Sequence, residues 1–133
     1  MTNALHRREG ELAYQQGSLP AAGKALKAAL AAEPLNPFVA SNLACVQYRQ
    51  AQRPAALTAW QAVEGAVPEA ALNLGIDAQE VRKDYGKAVE EYRKYVVGNG
   101  PRTTLVKEWI ERLESIYGGG ESLQTAEGRE GAK

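Results

Sequence analysis

The chain has 133 residues, and its sixteen basic and sixteen acidic side chains cancel to zero formal charge. That length sustains one domain with a continuous core, and the charge balance leaves no field to draw the chain toward nucleic acid or an anionic membrane. A single cysteine, Cys45, excludes an internal disulfide framework, and no apolar run approaches the roughly 18 residues of a membrane span.

The pattern predicts helices throughout. A first helix is expected over about residues 3–16, broken by Gly17 and Ser18. A second runs over about 19–32, with Pro20 tolerated in its first turn. Glu33-Pro34-Leu35-Asn36-Pro37 reads as a stop and restart, with Asn36 a candidate cap for a third helix near 37–50. A fourth spans about 53–64, and Gly65 stands where a left-handed helix terminus is often needed. Pro68 opens a fifth helix at about 68–82, and Lys83-Asp84 forms a turn. Tyr85 to Val96 continues as a sixth helix, ended by Gly98-Asn99-Gly100-Pro101. A seventh follows at about 103–117, capped by Thr103 or Thr104, with Leu105, Trp109, Leu113 and either Ile116 or Tyr117 on its apolar face. Gly118 to Lys133 is glycine-rich and charged, with Leu123 its only sizeable apolar residue, and is expected to be disordered.

A period organises these helices. Gly10 answers to Ala44, Tyr14 to Tyr48, Ala22 to Ala56, Leu26 to Trp60 and Pro34 to Pro68, each pair 34 positions apart. Such a period marks stacked helix–turn–helix units that cannot bury their apolar faces alone. Gly10 with Ala22, Ala44 with Ala56, and Gly75 with Ala88 supply small residues where paired helices cross, and Leu26, Trp60 and Tyr92 supply bulk between units. From Gly75 to Ala88 there are thirteen steps against twelve in the earlier pairs, so the turn at Lys83-Asp84 is expected to carry one extra residue.

This pattern resembles the tetratricopeptide repeat (TPR) family, over repeats at about 3–36, 37–67 and 68–100. The resemblance implies an all-α fold: three helix–turn–helix repeats in a right-handed solenoid over 1–117, closed by a C-terminal capping helix at about 103–117. It also implies a protein-binding module whose ligand lies against the first helices of successive repeats, in a concave groove. The matching positions are Arg7, Arg8, Glu11, Tyr14 and Gln15, then Phe38, Ser41, Asn42, Cys45, Tyr48 and Arg49, then Glu69, Leu72, Asn73, Ile76, Gln79 and Glu80. Asn42 and Asn73 recur at one repeat position, where an amide can both donate to and accept from a peptide backbone. Tyr14 and Tyr48 recur at another, and they either offer flat surface with a polar tip or pack between helices. One branch of the family grips a terminal carboxylate. Arg7, Asn42 and Asn73 match that branch, but Glu11 and Glu69 depart from it and would repel the ligand. A groove with Arg7, Arg8 and Arg49 at one end and Glu69, Asp77 and Glu80 at the other suits a peptide of mixed charge.

No catalytic, cofactor or metal site is expected. His6 and Cys45 are the only residues of their kinds and lie about one repeat apart, and a lone histidine cannot build a usual zinc site. Glu90-Glu91 reads as a solvated face. The expected function is an adaptor or scaffold binding an extended segment or helix of another protein, as a monomer. The alanine- and glycine-rich composition suggests a bacterial source, and bacterial members of the family serve secretion, pilus, motility or envelope assembly. The alternatives are a self-associating structural scaffold and a holdase chaperone for an export substrate. Met1 to Glu11 is polar and carries no secretory leader, so the cytoplasm is the default compartment. A periplasmic home follows if the chain is a fragment that has lost its leader.

Overall fold

A computed structural model describes residues 18–117 of the chain. The described residues form six helices and no strand, so the fold is all-α. The helices are α1 (Leu19–Ala32), α2 (Pro37–Arg49), α3 (Arg53–Val63), α4 (Pro68–Glu80), α5 (Tyr85–Val97) and α6 (Thr103–Tyr117). The expected first helix at 3–16 and the tail after 117 lie outside the described residues. The chain divides into two compact units at the Val67–Pro68 junction, so α1 to α3 belong to the first and α4 to α6 to the second.

In the first unit, α1 is alanine-rich, the composition with the least conformational cost in a helix. Ala22, Leu26 and Ala29 recur at helical spacing and pack with Val39, Leu43 and Val46 of α2. Helix α2 starts as the sequence predicts. Asn36 Oδ1 accepts from the Phe38 and Val39 amides at 2.9 and 3.2 Å, while Pro37 takes the first helical position, where no donor is needed. The α2–α3 turn then closes through Gln52 N–H to Gln47 O at 2.8 Å and Ala51 N–H to Tyr48 O at 3.2 Å, with Ala51 left-handed at φ 66°. This is the usual way a helix satisfies its last carbonyls, except that alanine stands where glycine is favoured. Ala44 and Ala56, on the paired helices α2 and α3, are completely buried. Trp60 fills the space beside them, 3% exposed, and donates its indole N–H to Ser41 O at 3.3 Å.

One expectation fails at the end of α3. Gly65 is not left-handed. The helix instead tightens, Val63 O accepting from both Ala66 and Val67 amides at 2.9 and 3.0 Å, a closure open to any residue.

The second unit carries more aromatic bulk. Tyr92 and Tyr95 of α5 are buried at 1% and 0% exposure, together with Ala88, Val89 and, from α4, Ala71, Leu72 and Ala78. Two glycines make room for these rings. A Cβ on Gly75 would stand 2.5 Å from Tyr92 Cε1, and one on Gly100 would collide with the Tyr95 phenol. Both hydroxyls are satisfied, Tyr92 donating to Gln79 Oε1 at 2.6 Å and Tyr95 accepting from Arg102 N–H at 2.8 Å. The expected extra residue in the α4–α5 turn is present. Asp84 N–H reaches back six residues to Ala78 O at 2.8 Å, Lys83 is left-handed at φ 56°, and Asp84 Oδ1 caps α5 through the Lys87 amide at 3.0 Å.

Helix α6 differs from expectation in two respects. Its buried stripe is Val106, Ile110 and Leu113, with Trp109 half-buried beside it, whereas Leu105, Ile116 and Tyr117 are exposed. The apolar surface of this helix is wide, and the stripe that docks lies one residue on from Leu105, along its centre. Thr103 is also no cap. It is the first helical residue, and its hydroxyl donates to Gly100 O at 2.7 Å instead of accepting a helix amide. An Arg93–Glu114 ion pair ties α6 to α5.

Candidate functional site

The candidate partner-binding residues fall on three helices, of which α2 and α4 lie among the described residues. Arg7, Arg8, Glu11 and Tyr14 lie outside them. On α2, Asn42 and Arg49 are exposed, and Cys45 and Tyr48 are half-buried. Helical spacing puts 42, 45 and 49 on one face, opposite the buried Ala44. Tyr48 is not free surface, because its ring lies against Trp60 with centroids 5.3 Å apart and planes tilted by 40°. Ser41, a groove position by the resemblance, is buried at 3% exposure. The α2 face is therefore narrower than the sequence suggests and centres on the Asn42 amide, with the half-exposed Phe38 a turn before it.

On α4, Asn73 and Ile76 are half-buried and one turn apart, while Leu72 is buried in the core. Asp77 was expected at the acidic end of the groove but is 1% exposed, with Arg82 Nε 3.5 Å from its carboxylate. Of the acidic residues expected there, Glu69 and Glu80 are exposed. Burial also corrects the reading of Glu90-Glu91. Glu90 is exposed, but Glu91 is 1% exposed with Lys87 and Lys94 ammonium groups 3.3 and 3.6 Å from its carboxylate. Both corrected residues fall on the core side of their helices, beside Ala78 and Tyr92, where periodicity outweighs chemical type.

Ile76 opens onto a feature that the sequence does not announce. Within the second unit, α4, α5 and α6 enclose a cleft of about 460 Å³. Its walls are Ile76 and Gln79 from α4, Tyr85 and Tyr92 from α5, and Trp109 and Ile116 from α6. Trp109 leans on Tyr92 with centroids 5.5 Å apart. At one end Tyr85 and Tyr117 stack, centroids 4.2 Å apart and planes 9° from parallel. The adjoining Tyr85 hydroxyl raises the Tyr117 phenol above its ordinary value, with loss of some solvent adding to the effect and Lys83 opposing it. Burial, and then the nearby Glu80 carboxylate, raise the Tyr92 phenol as well. The rim carries Lys83, Arg112 and Glu80. The one signal for this cleft in the sequence is the surplus of apolar residues on α6. Ile116 and Tyr117 extend the helix beyond the stripe that its docking consumes.

Among the described residues, no cluster of histidine, cysteine, aspartate and glutamate could hold a metal ion, and no helix is long and apolar enough to cross a membrane. No family model matches the sequence, and no curated protein sequence matches it.

Proposed function

We propose that the protein is a non-catalytic adaptor of tetratricopeptide-like build, which binds a segment of a partner protein on the faces of the first helices of its hairpins. The observation that carries this reading is the contrast along α2. Ala44 is completely buried, consistent with a close helix crossing, while Asn42 stands exposed and its side-chain amide makes no hydrogen bond among the described residues. An exposed amide on a helix held from behind can donate to and accept from an extended backbone without rearranging its own fold. The half-exposed Phe38 and the Arg49 side chain extend the same surface with an apolar and a cationic contact.

Site-specific photocrosslinking tests this reading. A crosslinking residue at Asn42, in cells of the native source, should trap a defined partner. The same group at Gln61, exposed on α3, should trap far less of it. Equal trapping at the two positions would contradict the assignment of the α2 face.

A further inference from the structure

The α4–α5–α6 cleft has the shape and charge of a pocket for one kind of side chain. Its apolar walls are preformed, with Trp109 propped on Tyr92 and the Tyr92 hydroxyl engaged by Gln79, so ligand entry need not order them. At about 460 Å³ it falls within the usual range of about 300–1,000 Å³ for pockets that bury a ligand group. Its outer end is uncovered: Ile116 is 62% exposed and Tyr117 is 40% exposed. The charges are asymmetric. Elsewhere in this unit, Arg82, Lys87, Arg93 and Lys94 each lie against a carboxylate, while Arg102 and Lys107 make no ion pair among the described residues. At the cleft, Lys83 and Arg112 make no ion pair among the described residues, and Glu80 is the single rim carboxylate.

We propose that this cleft seats a large apolar side chain of a partner polypeptide whose neighbouring residues are acidic. The proposal rests on the adaptor reading and names its ligand chemistry. The anchor enters between Ile76, Trp109 and Ile116, and its flanking carboxylates meet Lys83 and Arg112 in place of water. Glu80 disfavours a polyanion such as a nucleic acid strand and restricts the acidic flank to the side away from itself. The anchor also covers Ile116, removing the largest apolar exposure that this cleft retains.

A library of phage-displayed random peptides, selected on the full chain, tests this. Enriched peptides are resynthesised with a dye and titrated against the wild type, against Lys83→Glu/Arg112→Glu and against Ile116→Ser, all exposed positions, with the helical signal of each variant checked first. The expected result is an enriched aromatic or leucine residue flanked by aspartate or glutamate, with affinity about tenfold lower in either variant and falling as salt rises. Enriched peptides without acidic residues, or with unchanged affinity for both variants, overturn the cleft while leaving a peptide-binding protein. The absence of any enriched peptide overturns both readings. The proposal is equally refuted if a labelled oligothymidylate binds the cleft in preference. It is also refuted if Ile116→Ser converts a dimer to a monomer, which would make a second copy the occupant, or if peptides bind only after removal of residues 118–133, which would make the chain its own ligand.

Discussion

The two units solve one packing problem with different residues. In the first, the paired helices α2 and α3 carry the completely buried alanines Ala44 and Ala56, and a single indole, Trp60, supplies the bulk with one hydrogen bond to a backbone carbonyl. In the second, phenol rings fill the space, and glycine is what admits them: Gly75 beside Tyr92 and Gly100 beside Tyr95. The difference shows what aromatic bulk requires. A tyrosine core needs partners for its hydroxyls and backbone without Cβ atoms, and the helix that covers it, α6, is wide enough to leave apolar surface over. Among the described residues, the first unit has a cleft of about 240 Å³ beside Leu43 and Gln47, whereas the tyrosine-built unit has one of about 460 Å³.

The largest test of this contrast removes the indole. Trp60→Ala should cost about 3–5 kcal/mol in urea unfolding followed by circular dichroism, because the alanine-lined space cannot collapse onto the cavity. A loss below about 1 kcal/mol would mean that the first unit does not depend on the Trp60 indole.

Next, Gly75→Ala should destabilise by about 1–3 kcal/mol, since the new methyl meets the Tyr92 ring. The sign decides, because in an open helix the same substitution stabilises by up to about 1 kcal/mol. Combining it with Tyr92→Leu should recover part of the loss, which a backbone cause would not allow.

The turns offer a smaller effect of opposite sign. Ala51 holds φ 66° between α2 and α3 and pays for a left-handed backbone that glycine adopts freely. Ala51→Gly should raise stability by up to about 1 kcal/mol, read from the melting midpoint. A decrease would place the strain elsewhere.

The smallest effect is confined to alkaline solution. Burial, helped by Glu80, raises the Tyr92 phenol above its ordinary value of 10.0. The unfolded chain ionises first, so the stability held by the neutral phenol is complete below about pH 10 and declines as pH rises above it. Tyr92→Phe should flatten that decline, at a cost of about 1 kcal/mol at neutral pH from leaving Gln79 without its donor. An unchanged alkaline limb would assign the decline to other groups.

Helix positions were legible in the sequence because prolines and capping residues mark them. Pro37 with Asn36 fixes the start of α2, and the thirteen-step spacing from Gly75 to Ala88 foretells the longer α4–α5 turn. Residue chemistry was the weaker guide. Asp77 read as a groove residue and Glu91 as a solvated one because they are acidic, yet they lie on core-facing sides of their helices where paired cations hold them. The α6 stripe was misplaced by one residue because Leu105 and Val106 begin equally apolar series, and only docking selects between them. The cleft escaped notice because its lining comes from three helices that share no motif. In the candidate site, Asn42 keeps its expected exposure, whereas Tyr48 has a neighbour in Trp60 that periodicity does not reveal.

The most direct test of the account replaces Asn42 by alanine and measures capture of a partner identified by crosslinking, alongside the melting curve. The account predicts weaker capture, by a few kcal/mol at most, with helical signal and melting midpoint nearly unchanged. Full capture by the variant would contradict it.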